Sequence, residues 1–296
     1  GSPTGDLHPI SSRPCWAYQK NQADGIKASH FLLSQKMRPF CPPLILALAI
    51  IVSVSPMEYY KEKFNSVGWF IPPYVNMGYL GEIAQEISQT KQMNLEALLQ
   101  CIYTHNHLAS MVISRYPIVP YVSEYNKIIS EAIDAHFLGL HHVAVSGLIP
   151  VIEGVGRKVA ESKGVNEKYV KNVFSSLAEH CKEDVVTNKI GAVDEIIEML
   201  DSFVYFTKNN LYVQSSNYVE KDKTNRHGIL HGAFSDDDYG SPINFYKAIG
   251  AIDFLCFIVS IRASISFFAP NENDLSLKLA KQYALFMQID LWKNNG

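Results

Sequence analysis

The fold class follows from residues 123–162, which read SEYNKIISEAIDAHFLGLHHVAVSGLIPVIEGVGRKVAES. Apolar side chains recur in this stretch at the spacing of one helix face, namely at Ile128, Ile129, Ile133, Phe137 and Leu140. Ser123 is a candidate N-cap, and Pro150 is expected to kink or divide the helix. The stretch therefore predicts a long amphipathic helix.

Apolar patterns on either side of this stretch predict further helices. They cover about residues 80–87, 95–113, 165–184, 192–213, 244–268 and 275–292. Asn166 is a candidate N-cap for the third of these helices, and residues 68–74 contain two prolines that predict a packed loop. Strand signals are sparse, so we predict an all-α helical bundle with an N-terminal helical extension.

The domain organisation is predicted from prolines and from the N-terminal composition. Pro117 and Pro120 indicate a boundary, with an N-terminal helical region at 57–122 and the bundle at 123–296. Residues 1–56 form an extension of uncertain status. Its apolar run at 44–54 is too short to span a bilayer. A buried segment or non-native extension, a signal-like segment and a membrane anchor all remain open for it.

The composition argues against several functions. Apolar residues make up 47% of the 296 positions, which is enough for a sizeable core, and this argues against disorder. The formal net charge of −3 provides no global basic field, so binding to duplex DNA is not expected. No GxGxxG, P-loop, HExxH or GxSxG motif occurs, and dehydrogenase, kinase and serine-hydrolase functions lack support.

Cysteine and histidine spacing gives little sign of a metal site. Five scattered cysteines without a CxxC pair predict buried thiols in a reducing compartment, and hence a cytoplasmic location. His136, His141 and His142 do not stand three or four residues apart, so they make a poor helical metal site. We predict neither a metal nor a cofactor.

The segment that carries chemistry is Asn225-Arg226-His227-Gly228-Ile229-Leu230-His231-Gly232. Arg226 offers a planar fork of donors that matches a phosphate, and His231 can exchange a proton near neutral pH. Such a pair suits metal-free cleavage of a phosphodiester if a helix start or a distorted turn points both side chains into one cleft. The structural alternative is an Arg226 that pairs with the acidic turn at 236–238 and a His231 that caps a helix.

This segment, the acidic turn and the apolar helix opened by Asn244 together resemble the HEPN superfamily. Its members are all-α nucleotide-binding and RNase domains that carry an Arg-x4–6-His motif. The upstream segment at 147–154, which reads GLIPVIEG, is similar to the LxPxIEG helix of bacterial HEPN proteins of unknown or phage-defence role. The likeness covers about residues 123–270. Ala233 stands where the superfamily's toxins with nucleotidyltransferase antitoxins carry a Tyr, so AMP transfer is not expected here.

The resemblance implies a metal-independent endoribonuclease with a role in phage defence or stress. It implies a homodimer that brings two Arg/His pairs into one cleft, with Arg226 and His231 catalytic. Asn225 or His227 would orient the phosphate or His231, and Glu153 could pair with Arg226. RNA or a nucleotide is the expected partner, and a membrane is not. Two alternatives remain: a non-catalytic module of the same type that binds a nucleotide or a partner protein, and a helical interaction protein whose motif is purely structural.

Overall fold

Helices provide the regular secondary structure of the computed structural model, which describes residues 55–89 and 94–295. The extension predicted at 1–56, with its apolar run at 44–54, lies outside these residues except for its last two positions. The described α-helices are α1 (Pro56–Ser66), α2 (Met77–Gln89), α3 (Leu95–Ile102), α4 (His105–Ser110), α5 (Asn126–Phe137), α6 (His141–Ser162), α7 (Val170–Asn188), α8 (Val193–Phe206), α9 (Arg226–Leu230), α10 (Asp236–Tyr239), α11 (Pro242–Ser260) and α12 (Asp274–Asn295). The predicted all-α class is confirmed.

Helix α6 lies at the centre of the packing. It contacts α5, α7 and α11, and it also contacts the short helices α9 and α10. Around this centre α12 packs on α4 and α5, whereas α1 packs on α2 and α8. One hydrophobic core includes side chains from both 57–122 and 123–296. The segments on either side of the proline-rich stretch therefore share their buried surface.

Helix α11 is the most apolar element of the described chain. It is long and apolar enough to cross a membrane, but 89% of its apolar window is buried by other parts of the fold. Even Lys247 and Asp253 on this helix are buried, and the helix has almost no polar face. Helix α11 therefore occupies the interior of the bundle, as an all-round apolar helix of a large core does.

The loop at 68–74 is packed, as its prolines predict. Trp69, Phe70 and Ile71 are fully buried although they lie outside any helix. The Phe70 ring lies 5.1 Å from Phe203 and 5.6 Å from Phe254, both edge to face. Aromatic burial of this kind contributes to stability through area and through ring geometry.

The long helix predicted over 123–162 is divided, but not at Pro150. Helix α5 ends at Phe137, and Gly139 adopts a left-handed φ of 75°. The Leu140 amide donates to the Ala135 carbonyl at 2.8 Å, and the Gly139 amide donates to His136 at 3.0 Å. This is a Schellman motif, which a glycine permits at low cost. Pro150 lies inside α6, which continues through it.

Two predicted N-caps are wrong. Ser123 begins a 3-10 turn, and α5 begins three residues later at Asn126. Asn166 lies in a loop, because α7 begins only at Val170 with Tyr169 as its N-cap. Neither Ser123 nor Asn166 directly precedes the first residue of an α-helix, so neither side chain can cap one. The later start of α7 leaves Lys168 and Tyr169 on the surface beside its N-terminus.

Three other predicted helices are shorter than expected. The stretch 95–113 breaks after Ile102, where Thr104 caps α4 by accepting from the His107 amide. The stretch 192–213 passes into a π turn after Phe206, and α11 ends at Ser260 instead of 268. Hydrophobic periodicity located these elements, but local turns fixed their ends.

The predicted buried thiols are confirmed at two of the five cysteines. Cys181 and Cys256 are buried free thiols, and burial raises the pKa of Cys181 to about 11. Cys15 and Cys41 lie outside the described residues.

Candidate functional site

The motif segment forms a short helix, α9, which begins at Arg226 and is followed by His231 at its C-cap. Asn225 is the N-cap, and its Oδ1 accepts a hydrogen bond from the Gly228 amide at 2.8 Å. The Nδ2 atom of Asn225 donates to the backbone carbonyls of Asn210 and Val213 at 2.9 and 2.8 Å. Asn225 is completely buried, so it fixes the helix to the π-turn region instead of facing a phosphate.

A second set of buried polar contacts holds the chain before and after α9. Thr224 donates from its hydroxyl to Asn244 Oδ1, and Asn244 Nδ2 donates to the Tyr239 carbonyl at 2.8 Å. Both Thr224 and Asn244 are fully buried. Asn244 is thereby a link between the motif and the end of the acidic turn. The sequence pattern located Asn244 but did not reveal this role.

Arg226 and His231 meet at the surface. Arg226 Nη1 lies 2.8 Å from His231 Nε2, although the two residues are five positions apart. The short helix ends at Leu230, and Gly232 follows with a left-handed φ of 67°. This turn brings His231 back toward the first residue of the helix. His231 is exposed and the Arg226 side chain is 21% exposed, so the pair faces solvent.

Glu153 holds Arg226 from the central helix α6. Arg226 Nε donates to Glu153 Oε2 at 3.2 Å. The other carboxylate oxygen of Glu153 accepts from Arg157 Nε, one turn further along α6, at 3.4 Å. Arg226 therefore pairs with Glu153 and not with the acidic turn at 236–238. In that turn Asp238 instead accepts hydrogen bonds from Ser235.

His227 stands beside the pair. Its ring lies 5.7 Å from that of His231 with an interplanar angle of 17°. Partial burial, and then the neighbouring Arg226 and His231, lower the pKa of His227. His227 is therefore neutral at physiological pH and available for hydrogen bonding to a ligand.

Gly228 is required by close packing. A Cβ atom at this position would lie 2.1 Å from the ring of Phe234. Phe234 closes back onto α9 because its amide donates to the Gly228 carbonyl at 3.0 Å. The glycine in the motif thus allows the chain after His231 to fold against the helix.

A cavity of about 300 Å³ opens next to Arg226. It lies between α6, the N-terminus of α7 and α9. The residues that line it are Glu153, Arg157, Lys168, Tyr169, Val170, Lys171, Tyr212, Arg226 and His227. Four cationic side chains thus surround one carboxylate. We call this the cationic cavity.

Most residues that line this cavity carry no motif that could predict them from the sequence. Arg157 carried an available signal, because it stands four positions after Glu153 and so shares its helix face. Lys168, Lys171 and Tyr212 belong to no motif, and they come together only through the packing of α6, α7 and the π turn. Their presence could be found only from the structure.

No match to this chain is found among protein-family models, curated proteins or solved structures. The likeness of residues 123–270 to the HEPN superfamily therefore stays a prediction that rests on the quoted motifs.

The described residues contain no cluster of His, Cys, Asp or Glu that could hold a metal ion. His136 and His141 come within 5.1 Å of each other, because the turn at Gly139 reverses the chain between them. His136 is buried and stacks on Phe245 at 3.8 Å, and burial lowers its pKa well below the usual value. It therefore belongs to the core.

Proposed function

We propose that the protein is a metal-independent endoribonuclease that uses Arg226 and His231. The observation that carries the proposal is the 2.8 Å contact between the guanidinium and the imidazole at an exposed surface. A fork of donors and a proton acceptor at one point are the groups that cleavage of a phosphodiester needs. Glu153 supports the proposal because it fixes Arg226 from the rigid central helix.

The geometry favours the imidazole as the base. A guanidinium can only donate, so His231 Nε2 accepts from Arg226, and the neutral ring carries its proton on Nδ1. An arriving phosphate accepts from Arg226 in place of the imidazole, which frees Nε2. Nε2 then takes the proton of the RNA 2′-hydroxyl as this oxygen attacks phosphorus.

The proposed reaction forms a 2′,3′-cyclic phosphate. The bond from phosphorus to the 5′-oxygen breaks, and the leaving oxygen takes a proton from the His231 of a second copy of the chain, whose ring starts the step protonated and ends it neutral. Arg226 carries the charge that develops on the phosphoryl oxygens. We therefore propose a homodimer as the active form. Sedimentation velocity of the pure protein measures its oligomeric state.

Replacement of the two residues tests the proposal. We expect His231→Ala to lower the rate of RNA cleavage by about 10²–10⁴-fold, since this is the range for general acid–base catalysis. Arg226→Lys keeps the charge but loses the planar fork, and we expect a loss of about 10²-fold or more. Gel analysis of labelled RNA is the measurement, with 3′-end chemistry read by mass spectrometry.

Matched controls lie elsewhere on the surface. His180→Ala removes a partly exposed histidine near Asp184, and Arg262→Gln removes an exposed arginine that pairs with the same aspartate. Both variants should cleave as the parent does, and EDTA should have no effect. Cleavage that needs a divalent metal, or that survives in His231→Ala, refutes the proposed mechanism.

A second candidate is a non-catalytic module that binds a nucleotide. One observation favours it: the cationic cavity is lined by Arg226 but not by His231. A binding module predicts that a nucleotide raises the thermal unfolding temperature while the pure protein leaves RNA intact. The cleavage assay above separates the two candidates.

A further inference from the structure

The cationic cavity contains more recognition groups than cleavage of one phosphate needs. Arg226 faces both the His231 ring and the cavity. On the far side Lys168 and Lys171 are exposed, and neither forms an ion pair within residues 55–89 and 94–295. The N-terminus of α7, a helix that spans Val170–Asn188, adds partial positive charge at the same edge.

Tyr212 adds an unpartnered donor to the lining of this cavity. It lines the cavity and is only 5% exposed, yet its hydroxyl has no hydrogen-bond partner among the described residues. A buried hydroxyl without a partner costs free energy, and such groups in native structures call for an explanation. Burial first, and then the charge of Glu153, raise the pKa of Tyr212, so the group stays protonated as a donor.

The shape and charge of the cavity select the occupant. Its volume of about 300 Å³ is at the lower limit for a small-molecule site and exceeds the needs of one phosphate group. Tyr169 stands 59% exposed at the rim, with Lys168 Nζ 5.6 Å from its ring centroid. Exposed aromatic rings beside cations are the surfaces on which unpaired bases stack.

A neighbouring cavity provides a contrast. It shares Arg157 and Lys168 with the cationic cavity, but Glu161 and Glu167 also line it. Carboxylates at this position repel phosphates. The excess of positive charge is therefore confined to the side that touches Arg226.

We propose that the cationic cavity binds one unpaired nucleotide next to the phosphate held by Arg226. This inference rests on the proposed ribonuclease function. Lys168 and Lys171 contact the phosphate of that nucleotide, Tyr212 donates a hydrogen bond to it, and Tyr169 stacks on the base. A base-paired nucleotide cannot enter a concave site of this size, because its partner strand blocks the approach.

Binding of an RNA that cannot be cleaved tests the proposal on the full chain. The probe is a short fluorescent single-stranded RNA with a 2′-O-methyl group on every ribose, and its anisotropy is followed against protein concentration. We expect Lys168→Gln with Lys171→Gln to weaken binding by about 10–100-fold, because two charge-assisted contacts are lost. Tyr212→Phe should weaken binding by about 3–10-fold. Lys281→Gln on α12 is the exposed-lysine control and should have no effect.

Two further measurements sharpen the assignment. A duplex of the same sequence should bind at least tenfold more weakly than the single strand. AMP should displace the probe at a lower concentration than inorganic phosphate does. Equal binding of duplex and single strand, or equal displacement by AMP and phosphate, overturns the assignment of an unpaired nucleotide.

The design separates this proposal from the ribonuclease function. If His231→Ala stops cleavage while the double lysine variant binds and cleaves as the parent does, the cavity proposal fails and the ribonuclease stands. If no form of the protein cleaves RNA but binding depends on the lysines and Tyr212, the ribonuclease fails and the cavity proposal stands. Tyr212→Phe should unfold at the parent's temperature or above it, since loss of an unpartnered buried hydroxyl removes no internal contact and relieves its desolvation cost.

Discussion

Two cation–carboxylate pairs lie at or beside the motif segment, and they differ in how far the fold buries them and satisfies their hydrogen bonds. Lys247 and Asp222 are paired in the interior, where Asp222 also accepts from the Tyr218 hydroxyl and the Thr224 amide. Burial alone would raise the pKa of Asp222, but Lys247 and these hydrogen bonds lower it overall. Arg226 and Glu153, in contrast, are each about one-fifth exposed. Arg226 also faces an open cavity.

Charges that hold the fold differ from charges that are free to bind in whether the chain itself supplies all their partners. A buried pair with every partner supplied from within the chain has no capacity left for a ligand. A pair at a cavity rim, beside cations without carboxylate partners in the described chain, still has donors to give.

The largest effect on stability is expected at the interior pair. Lys247→Met leaves the Asp222 carboxylate buried without its cation, which should cost about 3–5 kcal/mol of unfolding free energy. Arg226→Gln, at the exposed pair, should cost no more than about 1 kcal/mol. Urea unfolding followed by circular dichroism measures both variants. Equal losses would show that the two pairs do not differ as described.

The double variant Lys247→Met with Asp222→Asn refines that result. It removes the carboxylate together with the cation, so it should be more stable than Lys247→Met alone. A double variant that is less stable would assign the loss to packing of the lysine stem and not to the unpaired charge.

A smaller effect is expected at the N-cap. Asn225→Ala removes the cap of α9 and leaves the buried Asn210 carbonyl and the partly buried Val213 carbonyl without their donor, which should cost about 2 kcal/mol. Asn225→Asp keeps the cap acceptor but sets a carboxylate oxygen against the carbonyls of Asn210 and Val213, so it should be at least as unstable as Asn225→Ala. Because Asn225 is buried, RNA binding by the folded fraction of either variant should be close to that of the parent.

The smallest effect is a dependence of stability on pH through His136. The unfolded chain binds a proton on this residue near pH 6.5, whereas the folded chain keeps it neutral until a lower pH. The unfolded state thus holds more protons below pH 6.5, and stability falls as the pH is lowered from 6.5 toward 5. His136→Phe retains a ring against Phe245 and should flatten this slope. An unchanged slope would place the titration elsewhere.

Much of the fold could be predicted from the sequence, because apolar periodicity is a local property. The helices, the packed loop at 68–74 and the presence of Arg226 and His231 in one polar segment all follow from neighbours along the chain. The ends of the helices could not be predicted in this way. The helix was expected to divide at Pro150, but it divides at Gly139. A left-handed turn with two backbone hydrogen bonds ends a helix there.

The candidate site was only partly predictable for a related reason. The pairing of Glu153 with Arg226 was foreseen from the resemblance, and the structure places the two side chains in contact. Asn225 was expected to face a phosphate or His231, but it points inward because the backbone carbonyls at 210 and 213 need a donor. A sequence motif identifies the polar residues but does not show which of them face solvent.

The helical class, the position of the motif and the kinds of groups it carries all follow from the order of residues along the chain. The tertiary structure alone accounts for the contact of Arg226 with His231 and for the shared ion pairs of Glu153 with Arg226 and Arg157. It also places Lys168, Lys171 and Tyr212 beside them. Side-chain types and apolar periodicity are properties of neighbouring positions, so they can be read from the sequence. A cavity, by contrast, exists only where helices distant in sequence fail to fill the space between them.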